Sequence, residues 1–375
     1  MMHVGIAGAG LAGRLLAWRL LRRGARVSLF DAASRDDRGS AGPTAAAMLS
    51  PTAELAVADT RIHELGQRSL GLWRPWLAQL QQESGRSVYF RQEGTLVVAH
   101  APDRNALRHY AGLLRAQLAQ AQFDAMVQAV DGAHIAALEP LLAGRFDDGL
   151  FLPVEGQLAN DQLYEALAAA LDAALERSGG AWHEGCPIDL VRAGELLARD
   201  GTRHAFDLTV DCRGIGARGE IPGLHGVRGE VLTVHAPGVQ LRRPVRLIHP
   251  RYALYVAPRP GGRFVVGATE LDSEDGGAIS LRSTLELGSA LYSLHPEFGE
   301  ARVLRLAAAL RPALPDRQPL AGADAEGVWR INGLFRHGYL IAPAVVAQVE
   351  AGIACALGLA APGDAADVDA AGLAA

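Results

Sequence analysis

The sequence predicts an α/β protein in which a parallel-stranded nucleotide-binding unit is interrupted by a mixed β-sheet module and resumed near the C-terminus. Three observations predict it. An apolar run, Val4 to Ala7, passes straight into Gly8-Ala9-Gly10-Leu11-Ala12-Gly13 and then into a helical pattern. Residues 227–310 are dominated by alternating or continuous apolar runs of strand type. A last strand, Trp329 to Asn332, then leads to a long apolar helix. At 375 residues and 49% hydrophobic content, the chain suits two interleaved domains, or one large one with a sizeable core.

The first turn needs each of its glycines. Gly8 makes the tight turn, Gly10 lets backbone approach a pyrophosphate, and Gly13 lets helix and strand pack closely. Leu15, Leu16, Trp18, Leu20 and Leu21 carry the helix to Gly24, and a second apolar run, Val27 to Phe30, finishes on Asp31. The helix N-terminus offers unpaired N–H groups and a partial positive charge to phosphates. Asp31 stands where a carboxylate accepts both ribose hydroxyls, which disfavours a 2′-phosphate. The unit binds an adenine dinucleotide on this reading.

Further along, residues 34–60 begin as loop and run through Ala45-Ala46-Ala47-Met48-Leu49. Helical periodicity covers Arg61 to Gln82, Asp103 to Gln122 and Asp161 to Arg177. Val88 to Phe90 and Thr95 to Ala99 form an expected strand pair around Glu93-Gly94. Leu208 to Val210 leads into Asp211-Cys212-Arg213-Gly214-Ile215-Gly216, a strand ending in a glycine turn against the nucleotide unit. In the β-rich segment, Val227 to Val234, Tyr252 to Pro258 and Arg263 to Ala268 are strands, with a Gly261-Gly262 hairpin turn. Leu281 to Leu294 is a helix stopped by His295-Pro296, and Arg302 to Leu310 is a strand. The final dozen residues, rich in Ala, Gly and Asp, are expected to fray.

Composition narrows the function classes. The net charge of −5, without a dense basic stretch, does not indicate a nucleic-acid or anionic-membrane surface. Cys186, Cys212 and Cys355 are far apart and odd in number, which suits reduced thiols in a cytoplasmic protein. The first strand begins almost at Met1, so no cleavable signal is expected. The apolar stretch from Ala342 to Ala361 is interrupted by Gln348 and Glu350 and reads as a packed helix, not a membrane span. All 36 basic residues are arginine, which excludes Schiff-base and P-loop chemistry through lysine. No pair of histidines or carboxylates has metal-ligand spacing.

Seven short motifs occur in one order and spacing: Gly8-Gly10-Gly13 with Asp31, Ala45 to Leu49, Arg228-Gly229-Glu230, Tyr255 to Arg259, Val265 to Thr269, Leu310-Arg311-Pro312 and Phe335 to Gly338. By these the chain resembles FAD-dependent oxidoreductases of the D-amino-acid oxidase group, in the glycine oxidase branch associated with thiamine biosynthesis. The resemblance implies a glutathione-reductase-type, Rossmann-like FAD-binding domain over 1–80, 150–222 and 320–365. A mixed-sheet substrate domain would cover 81–149 and 223–319, with a tail at 366–375. It also implies that Arg311 pairs bidentately with the substrate carboxylate and that Tyr255 adds a hydroxyl donor. Arg336 would lie beside the substrate, and Gly338, Tyr339 and Leu340 would offer backbone N–H groups to the flavin. Ala46, Ala47 and Met48 would run along the flavin ring. Leu11, Ala12, Ala32, Ile188, Gly214 and His337 complete the expected cofactor contacts, and the absence of a matching cysteine implies non-covalent FAD.

The implied chemistry is oxidation of a small amine or amino acid of the glycine, sarcosine or D-amino-acid type. The neutral amine would give a hydride to flavin N5, and the imine would be hydrolysed. Oxygen or another acceptor would reoxidise the flavin; without lysine, oxygen activation by a lysine is ruled out. A dehydrogenase with a non-oxygen acceptor and a tRNA-modification-type flavoprotein are the alternatives. Association into homo-oligomers is common in the family.

Plainer readings stand beside these. Arg311 could pair at a sheet edge, Arg336 could pair with an internal carboxylate, and Tyr255 could be a core or rim aromatic. Met48 is expected to pack on the ring, without a part in the chemistry. His249 and His295 read as surface or turn residues. Glu270 is expected to turn to solvent by strand alternation; turned inward, it would favour a cationic amine group.

Overall fold

The computed structural model describes residues 1–37, 39–249 and 252–360, so the tail expected at 366–375 lies outside the described residues. Strand β1 (His3–Ala7) leads through the glycine turn to helix α1 (Leu11–Arg22) and β2 (Arg26–Phe30). Short helices α2 (Ala41–Thr44) and α3 (Pro51–Glu54) flank β3 (Met48–Leu49), and α4 (Thr60–Ser84) follows. Next come β4 (Phe90–Arg91), β5 (Thr95–Ala99), α5 (Arg104–Gln117), α6 (Gln120–Met126), β6 (Gln128–Asp131) and α7 (Gly132–Leu138). Beyond them lie β7 (Asp148–Leu152), β8 (Gly156–Leu158), α8 (Asn160–Ser178) and β9 (Ala181–His183). The chain continues through β10 (Ile188–Arg192), β11 (Glu195–Ala198), β12 (Arg203–Ala205) and β13 (Leu208–Asp211). The second half holds β14 (His225–His235), β15 (Val245–His249), β16 (Tyr252–Arg259), β17 (Arg263–Gly267), α9 (Leu281–Leu294) and β18 (Arg302–Ala313). Last come β19 (Leu320–Ala323), β20 (Trp329–Asn332) and α10 (Gly338–Leu357).

Two large sheets organise these elements. A six-stranded sheet has the order β19-β20-β13-β1-β2-β9, with β20, β13, β1, β2 and β9 parallel and β19 antiparallel at one edge. Parallel strands need buried faces. Helices α1, α4, α8 and α10 cover this sheet, around a core including Val4, Leu16, Trp18, Trp73, Leu167 and Val346. An eight-stranded mixed sheet has the order β18-β14-β17-β16-β15-β5-β7-β6, with β15 and β5 its parallel pair. Its second core packs α9 against β14, β16 and β17 through Leu287, Leu291, Phe264 and Val256. The expected segment 150–222 begins inside β7, a strand of the eight-stranded sheet; the chain leaves that sheet after Leu152.

Two local expectations are corrected. Val88–Phe90 and Thr95–Ala99 do not pair with each other: β4 pairs with β8 in a small sheet, whereas β5 lies between β15 and β7. Gly94, at φ +84°, turns the chain out of the plane between them. The helix expected over Asp103–Gln122 is two helices, because Leu118 is extended at φ −115° and ψ 141°. The break brings Phe123 onto Leu107 and Leu114 in a separate cluster.

The stretch Phe335–Leu357 is long and apolar enough to cross a membrane, with mean hydropathy 1.9, yet 61% of its most apolar window is buried inside the protein. Its buried Glu350 accepts from Arg19 Nε at 2.9 Å and Arg23 Nε at 2.5 Å, which ties the helix to α1. Three cysteines are free. Among the described residues, no group of three or more His, Cys, Asp or Glu could hold a metal ion.

Candidate active site

A cavity of about 980 Å³ runs from the glycine turn to the face of the eight-stranded sheet. At its first end, Gly8 stands at φ +98°, where an added Cβ would come within 2.4 Å of the Cys212 carbonyl oxygen. A Cβ on Gly13 would come within 1.9 Å of the Gly8 carbonyl oxygen, so helix α1 can pack on the turn only with glycine there. A Cβ on Gly10 would meet nothing within 4 Å. Gly10 caps α1 with no side-chain hydrogen bond, so the first-turn N–H groups stay available. The Asp31 carboxylate accepts from Ala9 N–H at 2.5 Å and Ala33 N–H at 2.8 Å, one bond to each oxygen. A carboxylate has about four acceptor positions, so two remain for vicinal hydroxyls.

Sequence reasoning missed Arg14. It is buried behind the turn, donates from Nε to the Ala9 carbonyl at 2.8 Å, and lies over the rings of Tyr164 and Trp182. Its helical position resembled any basic residue of an amphipathic face, so nothing in the sequence marked it out.

The middle of the cavity is walled by two strained segments. Ala47 stands at φ +48° and Phe335 at φ +50°, a region that side chains other than glycine seldom adopt. Such conformations persist only where surrounding contacts enforce them. Around Ala47 those contacts are explicit: Asn160 Nδ2 donates to the Ala45 carbonyl at 2.7 Å, and buried Arg259 donates to the Ala46 carbonyl. Opposite, Phe335 and Arg336 turn the chain into α10, whose N-terminal residues Gly338, Tyr339 and Leu340 line the cavity. Tyr339 is fixed at both ends, its hydroxyl donating to Gly42 O at 3.0 Å and its carbonyl accepting from Trp73 Nε1 at 3.0 Å.

The sheet forms the far wall. Tyr255 lies opposite Gly267, and β14 carries Gly229 opposite Ala309 of β18. A Cβ on Gly267 would come within 2.7 Å of the Tyr255 hydroxyl, and a Cβ on Gly229 within 2.2 Å of the Arg311 guanidinium. The two glycines therefore let Tyr255 and Arg311 lean toward each other across the intervening strands. Arg311 Nη2 donates to the Thr269 carbonyl at 3.0 Å, whereas its buried Nη1 has no partner. Burial pushes the Arg311 pKa down and the Tyr255 pKa up, so an anion here would be welcome.

Carboxylates enclose Arg336. It donates to Glu54 Oε2 from Nε at 3.0 Å and to Glu270 Oε2 from Nη1 at 2.8 Å. Glu270 is solvent-exposed as expected, yet it stands at the cavity rim, held by Arg336 and by Arg317 at 3.0 Å. Strand alternation does not set its direction, because β17 has already ended at Gly267. Burial opposes ionisation of Glu54, but the adjacent guanidinium groups of Arg336 and Arg246 outweigh it and hold the pKa down to about 2. Burial drives the His337 imidazole down to about 4, so it is neutral at pH 7.

Of the sequence-derived residues, Gly8, Gly10, Leu11, Ala12, Asp31, Ala46, Ala47, Met48, Gly214, Tyr255, Arg311, Arg336, His337, Gly338, Tyr339 and Leu340 line this cavity. Gly13 supports it from beneath. Ala32 is exposed and Ile188 lies in a separate core cluster with Val191 and Leu196; neither lines the cavity. Glu270, singled out in the sequence, lines it too, and so do Glu54 and Arg246; these last two carried no motif, since the fold alone brings them there.

Fold and site together define a flavin-dependent oxidoreductase. The chain belongs to the FAD dependent oxidoreductase family, whose family model matches residues 3–349. It is 39% identical over 348 residues to the thiamine biosynthesis oxidoreductase ThiO of Rhizobium etli, covering 93% of this chain and 95% of that one. Against the glycine oxidase of Geobacillus kaustophilus it is 25% identical, covering 91% and 89%. Among solved structures, it matches glycine oxidase from Bacillus cereus with a TM-score of 0.78 at 22% identity, over 93% of this chain and 94% of the other. The iminodiacetate oxidase of Chelativorans sp. BNC1 superposes with a TM-score of 0.77 at 23% identity, over 96% of both chains.

The residues present fit FAD. The open space over Gly10 and the uncapped start of α1 suit a pyrophosphate, and Asp31 suits a ribose. The strained, small-side-chain stretch at Ala46 and Ala47 suits a flat ring.

Proposed function

We propose that this protein oxidises the C–N bond of a small amine or amino acid of the glycine, sarcosine or D-amino-acid type, with oxygen as the acceptor. The observation that carries this reading is Arg311, a buried guanidinium with one amino group unpartnered, leaning toward a phenol across two glycines. Bound FAD supplies a two-electron acceptor. Arg311 and Tyr255 hold the substrate carboxylate by charge-assisted bonds, which orient it as well as attract it. Arg336, clamped by Glu54 and Glu270, closes the cavity rim. Glu54 and Glu270 add acceptors to the cavity lining, and neutral His337 adds no competing charge. No residue in this scheme must act as a general base. Three free cysteines are in keeping with a reducing, cytoplasmic setting.

The test is anaerobic addition of glycine, sarcosine, D-alanine and D-proline to the purified yellow protein. Loss of the flavin band with one of them supports the reading, and readmission of air with peroxide formation supports oxygen as the acceptor. A yellow protein that none of them bleaches would reject this substrate class. Bleaching without peroxide would favour a different acceptor.

A further inference from the structure

We propose that the substrate carries a second anionic group and that Arg246 binds it, so that the preferred substrates are amino acids with two carboxylates. The proposal rests on the reading above, in which Arg311 takes the first carboxylate.

Arg246 lies on β15 directly opposite Tyr255 of β16, so the two side chains share the sheet face that walls the cavity. A guanidinium has five N–H donors. Arg246 uses them for one long contact, 3.4 Å from Nη2 to Glu54 Oε1, and its buried Nε has no partner. Buried polar groups are rarely left so. Arg228 donates to Glu230 and to the carbonyls of Asp275, Gly277 and Ala278, and Arg213 donates to Asp211 and Glu220. Arg259 and Arg243 also leave Nε without a hydrogen bond, but Arg259 donates to Gln157 and to the Pro258 and Ala46 carbonyls, Arg243 pairs with Glu139, and neither lines the cavity. Under-bonding at the sheet face is shared by Arg246 and Arg311, and both line the cavity.

The surrounding charges lean the same way. Guanidinium groups of Arg246, Arg311, Arg317 and Arg336 meet the carboxylates of Glu54 and Glu270. Glu54 Oε2 is engaged by Arg336 from both Nε and Nη2, so its stronger bonds go there and not to Arg246. Glu155, the other buried carboxylate near Arg246, accepts from Ala53 N–H at 2.7 Å, and burial raises its pKa. Around the cavity four guanidinium groups thus meet two ion-paired carboxylates.

The span is suitable. Arg311 reaches back over Gly229 of β14, and three strand spacings separate β14 from β15, about 14 Å. A carboxylate seated against each guanidinium takes about 4 Å at either end, leaving roughly 6 Å between carboxyl carbons. A chain of four or five bonds bridges that distance. Between them stand Gly267 of β17 and Tyr255 of β16, whose ring leans over that glycine.

The experiment compares matched pairs on the FAD-loaded protein: iminodiacetate with sarcosine, and D-glutamate with D-alanine. The expected result is an apparent dissociation constant for anaerobic flavin reduction at least about tenfold lower for the two-carboxylate member of a pair. In Arg246→Met that ratio should fall to within about threefold, and Arg246→Lys should restore part of it. Equal constants in the wild type, or a ratio that survives in Arg246→Met, overturns the proposal while leaving the amine-oxidation reading intact. If no amine bleaches the flavin, that reading fails by itself, and equilibrium spectral titration with glutarate against butyrate then decides the subsite. Tighter glutarate binding that disappears in Arg246→Met sustains it; equal binding overturns it. Should Arg246→Met fail to hold FAD, the wild-type pairs and Arg246→Lys give the decision.

Discussion

Replacing Gly229 by alanine should weaken substrate binding without weakening the fold. The added methyl would lie 2.2 Å from Arg311 Cζ and Nη2 and 2.7 Å from Nη1, where ordinary contact begins near 3.4 Å. The guanidinium must therefore retreat by more than about 1 Å. It can do so cheaply, because it is the far end of a flexible side chain and Gly229 needs no left-handed backbone. Alanine at such a position even restricts the unfolded chain, worth about 0.4–1 kcal/mol in favour of folding. Function has no such slack. Retreat breaks the 3.0 Å bond from Nη2 to the Thr269 carbonyl and misaligns the pair of N–H groups meant for a carboxylate. Loss of a charge-assisted bond costs about 1.5–3 kcal/mol, so the substrate constant should rise by about 10- to 150-fold. Anaerobic flavin reduction with the amine that bleaches the protein measures the constant, and thermal unfolding measures the fold. An unchanged constant at unchanged Tm would remove Arg311 from carboxylate binding. A Tm lowered by several degrees would show that the β14–β18 pairing had yielded instead of the side chain.

Arg311→Ala should raise the substrate constant to at least the same extent and leave the protein yellow; unchanged kinetics would refute its role. Tyr255→Phe removes one donor and should raise the constant by about tenfold or more, read by the same titration. Gly13→Ala forces a methyl to within 1.9 Å of the Gly8 carbonyl, backbone that cannot step aside, so the purified variant should retain less than about a tenth of its FAD by absorbance. The Glu54 pKa lies at about 2 when folded against 4.5 for the ordinary carboxylate. Its folded value is depressed, so its stabilisation is complete above the ordinary value and is lost as pH falls from about 4.5 toward 2. At most about 3 kcal/mol is at stake. Urea midpoints of wild type and Glu54→Gln should therefore differ at pH 7, draw closer as pH falls below 4.5 and converge only near pH 2, and a gap independent of pH would contradict the assignment.

Much of the cofactor half was legible in the residues. The turn around Gly8, Gly10 and Gly13 depends on steric rules acting over a few residues, and its strand, helix and terminal Asp31 follow at once along the chain. The same holds for the Gly261-Gly262 hairpin, where both glycines have positive φ, and for α9, where Ser280 caps the first turn and His295-Pro296 ends the last. Readings that depended on which strand neighbours which were less secure. Thr95–Ala99 has the pattern of a hairpin partner, yet pairs in parallel with Val245–His249, far along the chain. Ile188 has the apolar character of a cavity residue but is used to pack a small three-stranded sheet.

The sequence by itself determined the local geometry: a glycine turn opening a helix, a carboxylate at the end of the second strand, and the order of helices and strands. Backbone sterics and apolar periodicity act over one or two turns, so they can be seen in a single stretch of residues. Only the tertiary structure decided which charges meet. Glu54 on a one-turn helix, Arg246 and Tyr255 on neighbouring strands, Glu270 just past a strand end and Arg336 before the last helix come from five places in the chain. Their ionisation, and so their chemistry, depends on distances of about 3 Å and on burial, and the pairing of strands in the eight-stranded sheet sets both.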